Sequence, residues 1–202
     1  MPHVTVLERL FLYKEISKVD LLNKIAPLTK EGTLRAVIEI PAGSTEKWVV
    51  SKDGKAMLRK FENGEPSTIN YLGYPANYGF IPKSLKPLNK GGEPLDVLVL
   101  GNILPRGMVV KVKPIGILKL TENGEQDDKL ITLHESSPLY SFINTIDQLQ
   151  EKYPGILEIL KLWFENYKGA GKVKFHSLMD SHMAKNIVED AIKSYKEHKE
   201  IN

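Results

Sequence analysis

Two short acidic segments stand directly in front of apolar runs. Glu93-Pro94-Leu95-Asp96 precedes Val97-Leu98-Val99-Leu100, and Glu122-Asn123-Gly124-Glu125-Gln126-Asp127-Asp128-Lys129 precedes Leu130-Ile131-Thr132-Leu133. If both runs are strands of one sheet, the carboxylates at their mouths can meet in space. Oxygen-rich clusters of that kind suit Mg²⁺, a hard cation that keeps several waters. Taken alone, an acidic turn is more readily explained as solvated surface than as a metal site. A second constellation shifts that balance. Tyr74-Pro75-Ala76-Asn77-Tyr78-Gly79-Phe80-Ile81 carries two tyrosines four residues apart. Their hydroxyls can donate to phosphate oxygens, or their rings can fill a core. Lys47, Lys129 and the pair Tyr167-Lys168 add cationic donors. A phosphate substrate needs such groups, because its charge must be neutralised before a nucleophile can attack.

Other chemistries are excluded. The chain has no cysteine, which removes a disulfide scaffold, a thiolate zinc site and a thiol nucleophile. Gly169-Ala170-Gly171-Lys172 imitates the end of a phosphate loop. Asn166 stands where that loop needs its first glycine, and Val173 where it needs Ser or Thr, so the segment is a helix-ending turn. There is no HExxH pair and no GxSxG elbow. Lys and Arg number 28 against 25 Asp and Glu, a net charge of +3 that gives no reason to expect a nucleic-acid partner. Met1-Pro2-His3-Val4 lacks a basic and apolar leader, and no stretch approaches the roughly 20 apolar residues of a membrane span, so the expectation is cytoplasmic.

The elements that must position these residues are legible in the periodicity. With 202 residues, 42% of them hydrophobic and 26% charged, one substantial domain over 1–202 is expected. Residues 4–26 carry apolar groups at helical spacing and predict one or two short helices, with 1–21 an N-terminal extension. Short β-rich runs follow at Leu34–Ile40, Trp48–Val50, Ala56–Leu58, Val97–Leu100, Met108–Val110, Ile115–Leu118 and Leu130–Leu133. Many short strands with no helix between them suggest a small closed barrel. After Pro138 the period is helical: Tyr140–Lys152, then a helix with Pro154 in its first turn running to Tyr167, then Ser181–Lys199 capped by Asp180 or Ser181. The fold class is α+β.

In order along the chain, these segments resemble the soluble inorganic pyrophosphatases of the single-domain, Mg²⁺-dependent kind. The resemblance runs from about Leu22 to Ser194. It rests on Val37-Ile38-Glu39-Ile40-Pro41-Ala42, Tyr74–Gly79, Glu93–Val99, Arg106-Gly107, Pro114-Ile115-Gly116, Asp127–Leu130 and Phe164–Lys168. It implies an OB-like closed barrel of five strands packed by the C-terminal helices. It implies hydrolysis of pyrophosphate to two phosphates by metal-activated water, with Mg²⁺ as the ion and Mn²⁺ as a substitute. By position it assigns Glu93 and Asp96 to catalysis. Asp96, Glu122, Asp127 and Glu39 fall to the metals, and Lys47, Lys60, Tyr74, Tyr78, Lys129, Tyr167 and Lys168 to the phosphates. It further implies a homo-oligomer, a hexamer in bacterial relatives.

Five positions depart from the family pattern. Its run is usually Asp-Gly-Asp-Pro-x-Asp. Here Gly91 has no carboxylate and Glu93 is one methylene longer. Glu122 replaces an aspartate, Val49 a glutamate and Lys60 an arginine, with Arg59 adjacent. A lysine cannot reproduce the bidentate fork of an arginine. The alternative function is therefore a catalytically weakened relative that binds phosphate compounds or regulates.

Overall fold

The computed structural model describes residues 13–86 and 92–201. Its strands are β1 (Lys14–Ile16), β2 (Leu34–Ile40), β3 (Trp48–Val50), β4 (Ala56–Arg59), β5 (Phe61–Glu62), β6 (Glu65–Pro66), β7 (Asn77–Phe80), β8 (Asp96–Leu100), β9 (Val109–Glu122), β10 (Glu125–Gln126), β11 (Lys129–His134) and β12 (Val173–Met179). Its helices are α1 (Ile146–Lys152), α2 (Ile156–Asn166) and α3 (Ser181–Ile201). The mixed sheet and following helices are α+β. Among the described residues, no helix is long and apolar enough to cross a membrane.

Five strands pair in a circuit. β2 pairs antiparallel with β9, β9 with β11, β11 parallel with β8, β8 antiparallel with β7, and β7 antiparallel with β2. β2 and β8 are buried on nearly every residue, so their sequences read as apolar runs. Leu98 and Leu100 of β8 join a core with Trp48, Tyr74, Trp163 and Phe164, while Val97 and Val99 join a second core under Ala184, Val188 and Ala191 of α3. Those three α3 residues lie on one helical stripe, and the stripe is what fastens the helix. Asp180 caps it, its Oδ1 accepting from the backbone N–H of His182 at 3.0 Å and of Met183 at 2.9 Å.

Several expected elements change. The helices expected over 4–26 fall partly on residues 1–12, which lie outside the described residues, as does Gly91. From Lys14 to Ala26 the helical spacing gives no helix. Lys14–Ile16 pairs with β4, Ile16 opposite Ala56. Asp20 Oδ1 then accepts from the N–H groups of Leu22 (3.0 Å) and Asn23 (2.8 Å), which closes a single turn. Pro27 follows and biases Ala26 away from helix.

The helix expected from Tyr140 starts only at Ile146, because Thr145 is extended and its Oγ1 accepts from Gln148 N–H at 3.2 Å. Pro154 stays outside α2, whose N-cap is Gly155 at φ 90°. The runs at 108–110 and 115–118 are one strand, β9. Pro114 is accommodated where the register with β11 slips, so its missing N–H breaks no regular ladder. Strand β12, on β9, had no counterpart in the expectations, and neither did β7.

Gly79 allows β7 to lie against β2. A Cβ at that position would stand 1.8 Å from the carbonyl oxygen of Val37. Gly79→Ala must therefore push two paired strands apart. The expected outcome is a loss of stability of about 2 kcal/mol or more, read from the urea unfolding midpoint. An unchanged midpoint would mean the strands separate at no cost.

Candidate active site

One register relation builds the centre of the site. Parallel pairing sets Leu130 of β11 beside Val97 of β8. Asp96 and Lys129, one residue earlier on each strand, therefore stand side by side at the same end of the sheet. Lys129 Nζ donates to Asp96 Oδ2 at 2.6 Å and also to Asp127 Oδ1, and its side chain is only 3% exposed. A buried ammonium is tolerated only with such partners. The two carboxylates thus meet through a lysine.

The other groups come from the surrounding strands and turns. Glu39 sits where β2 slips register against β7, between Ile38 opposite Gly79 and Ile40 opposite Tyr78. Such an irregularity re-aims a side chain, and Glu39 Oε1 accepts from Val50 N–H of β3 at 2.7 Å. Glu122 ends β9, and its Oε1 accepts from Lys168 Nζ. Tyr167, the C-cap of α2, stacks on Trp163 with ring centroids 4.4 Å apart. Tyr74 packs against Tyr78 at 5.4 Å and Trp163 at 4.6 Å. Between Tyr74 and Tyr78 lies Asn77, fully buried. Its Nδ2 donates to the carbonyls of Val99 (3.1 Å) and Asn102 (2.9 Å), and its Oδ1 accepts from Ala42 N–H (3.1 Å) and Leu104 N–H (2.9 Å). That amide is fully used, and it pins the tyrosine segment to three other parts of the chain.

A cleft of about 400 Å³ opens over this arrangement. It is lined by Glu39, Glu93, Asp96, Glu122 and Asp127, by Lys47, Lys60, Lys129 and Lys168, and by Tyr74, Tyr78 and Tyr167. These are all the site residues expected from sequence. Lys60, just past the end of β4, faces the cleft, while Arg59 turns away from it. The Arg59 side chain is buried, donating to Thr68 Oγ1 at 2.9 Å and lying 3.7 Å from Glu46. Val49 lines the rim. Sequence reasoning missed Lys86, whose Nζ donates to Asp96 Oδ2 at 2.7 Å. Nothing in its spacing marked it, since Lys83, Lys86 and Lys90 look alike in sequence.

The charges set each other. Burial works against ionised Asp96, but Lys129 and Lys86 outweigh it and hold the carboxyl below its usual range. Burial wins at Asp127 and raises it. Glu122 is lowered, since Lys168 overcomes desolvation. Burial pushes Tyr74, Tyr78 and Tyr167 upward, so their hydroxyls stay protonated and able to donate. Lys47 is lowered by burial and by neighbouring Lys168. Glu39 is pushed up to about 8, mainly by burial, against the pull of the Val50 N–H.

The carboxylate set has the hard-oxygen chemistry of a Mg²⁺ site. Among the described residues, however, no three Asp, Glu, His or Cys side chains converge as a ready cage. The ammonium groups of Lys129 and Lys86 stand between the carboxylates instead.

Lysines, protonated tyrosines and carboxylates surround one cleft on an α+β scaffold. The sequence pattern described as inorganic pyrophosphatase matches residues 36–196, and the chain belongs to that family. A curated relative, the soluble inorganic pyrophosphatase 2 of Chlamydomonas reinhardtii, is 36% identical over 167 residues, covering 80% of each chain. The solved inorganic pyrophosphatase of Helicobacter pylori superposes with a TM-score of 0.73 at 31% identity, covering 86% of this chain and 99% of that one. The type I inorganic pyrophosphatase of P. falciparum superposes at 0.81 and 24% identity, a likeness of fold. This chain covers 65% of that longer protein, which covers 90% of this one.

Glu39 gives a pH-dependent signature. Its folded-state value lies above its unfolded value, so the folded protein binds the extra proton. Stability associated with this group is therefore present below about pH 4.5 and declines as pH rises toward 8. Glu39→Gln keeps an acceptor for Val50 N–H and removes the titration. In chelator, the variant should gain on the wild type by on the order of 4 kcal/mol between those limits. Urea unfolding of both proteins at pH 5 and pH 8.5 measures this, and a constant gap would refute it.

Proposed function

We propose that this chain hydrolyses inorganic pyrophosphate to two phosphates, with Mg²⁺ as the assisting ion and Mn²⁺ able to replace it. The observation that carries the reading is the cleft itself. Five carboxylates, five lysines and three protonated tyrosines line one opening, in a chain of the inorganic pyrophosphatase family.

The roles follow from position and charge. Lys47, Lys60, Lys129 and Lys168 neutralise the phosphate oxygens, and Tyr74, Tyr78 and Tyr167 donate hydroxyl hydrogen bonds to them. Asp96, Asp127, Glu122 and Glu39 offer the carboxylate oxygens for divalent ions. When bound, such ions supply charge neutralisation and lower the pKa of water. In the reaction a water oxygen forms a bond to one phosphorus. The bond from that phosphorus to the bridging oxygen breaks, and the second phosphate leaves with that oxygen. Glu93, the most exposed carboxylate of the group that Lys86 contacts, with 65% of its side chain accessible, accepts the proton from the water. Asp96, held ionised by two lysines, orients the reacting groups. The circuit of five paired strands supports an OB-like closed barrel as the scaffold. A homo-oligomer, hexameric by the family resemblance, and a cytoplasmic location belong to the same proposal.

Purified chain should release phosphate from pyrophosphate with Mg²⁺ and lose the activity in EDTA. Asp96→Asn should lower turnover by about a hundredfold or more while melting as a folded protein. Pyrophosphate that binds in calorimetry but is not cleaved with any divalent ion would replace the enzyme reading with that of a phosphate-binding relative.

A further inference from the structure

Among the described residues, Lys86 is the one charged residue of the cleft that neither the acidic segments nor the family resemblance accounts for. Its Nζ lies 2.7 Å from Asp96 Oδ2, 3.5 Å from Glu93 Oε2 and 3.9 Å from Asp127 Oδ1, and 13% of its side chain is exposed. An ammonium has three N–H donors and no acceptor. Here it faces one carboxylate from each of three positions on the cleft wall. Three carboxylate oxygens thus lie within 3.9 Å of one ammonium.

The backbone fixes this placement on both sides. Lys86 N–H donates to the carbonyl of Glu93 at 2.9 Å, and Leu85 N–H to the carbonyl of Ala191 in α3 at 2.9 Å. Ser84 Oγ donates to the carbonyl of Ile81 at 2.6 Å and accepts from Leu95 N–H at 2.9 Å. The segment carrying Lys86 is thus tied to the strand that carries Asp96.

We propose that Lys86 is a built-in monovalent cation of the carboxylate cluster, holding the place between Asp96, Glu93 and Asp127 so that the free protein binds one fewer divalent ion per chain than its carboxylates would otherwise take. A lysine held there satisfies the carboxylates without the near-octahedral geometry that Mg²⁺ demands. It also opposes a dication at that point, because like charges a few ångströms apart repel strongly in a partly buried site. The inference rests on the reading of this cleft as a metal-assisted pyrophosphate site.

Mn²⁺ binding is counted by equilibrium dialysis with electron paramagnetic resonance of the free ion, without pyrophosphate. Lys86→Gln should bind about one more Mn²⁺ per chain than the wild type, and Lys86→Arg, which keeps the charge, should match the wild type. Equal stoichiometry and affinity in wild type and Lys86→Gln overturns the proposal. A second measurement needs no variant. Lys86 of the wild type is acylated with an amine-reactive reagent and quantified by mass spectrometry as Mg²⁺ is raised. Labelling that stays constant through saturation supports a lysine that remains in place, whereas labelling that rises with bound Mg²⁺ means the ion ejects it and overturns the proposal. Failure here alone leaves pyrophosphate hydrolysis intact in the same preparation. Absence of both Mn²⁺ binding and hydrolysis would remove the functional reading as well.

Discussion

The Lys129 ammonium is the constraint on which the site depends. It is nearly inaccessible to water, so it must find carboxylates within the protein or the fold bears an uncompensated buried charge. Asp96 meets that need only because β8 and β11 run parallel in a register that puts Val97 beside Leu130. Asp127 meets it because it lies two positions before Lys129 in the chain. A slip of one residue between β8 and β11 would turn every side chain of one strand to the other face. It would exchange Val97 and Val99 for Leu98 and Leu100 between the two cores, and at the same stroke separate Asp96 from Lys129. Packing and electrostatics therefore specify the same register, so the site is only as well ordered as the strand pairing beneath it.

The rest of the cleft is arranged around that pair by backbone irregularity rather than by regular sheet. Glu39 reaches the cleft where β2 slips against β7. Tyr74 and Tyr78 are presented by a segment whose Asn77 amide is completely hydrogen-bonded into the structure. Tyr167 and Lys168 come from the end of α2, fixed by the stack of Tyr167 on Trp163. Each of these devices spends regular hydrogen bonding or packing freedom to aim one polar group. Together they explain why aromatic rings, rather than aliphatic ones, form the floor: a buried tyrosine gives core packing and keeps a proton to donate.

Legibility in the sequence divides along the same line. Leu34–Ile40, Trp48–Val50 and the run from Ser181 were readable because their partners are apolar and periodic. Every expected site residue lines the cleft because ordered segments, rather than single residues, carried them. The failures have local causes. Residues 14–26 have helical spacing, but β4 captures Lys14–Ile16 and Asp20 closes a turn. Pro114 reads as a break, yet it falls at a register slip where a missing N–H is harmless. Strand β12 mixes charge with apolar residues, because its place beside β9 leaves much of it half-exposed. Lys86 was invisible for a different reason. Its meaning lies wholly in three carboxylates that approach it from elsewhere in the chain, and no spacing encodes that.

The pairing of opposite charges across the cleft has a consequence for a polyanionic ligand. Lys129 shares its ammonium between Asp96 and Asp127, and Lys168 is engaged by Glu122. A phosphate oxygen entering here must compete with those carboxylates for the lysines. Cations that engage the carboxylates remove the competitor and release the lysines toward phosphate, so divalent ions and anion are expected to favour each other's binding. That coupling is reciprocal by thermodynamic necessity. It requires no movement of the strands, because the exchange is between the tips of long side chains over a floor held by Asn77, Trp163 and the register of β8 with β11. Lys129 and Lys168 are thus held by the same carboxylates that the proposed divalent ions would engage.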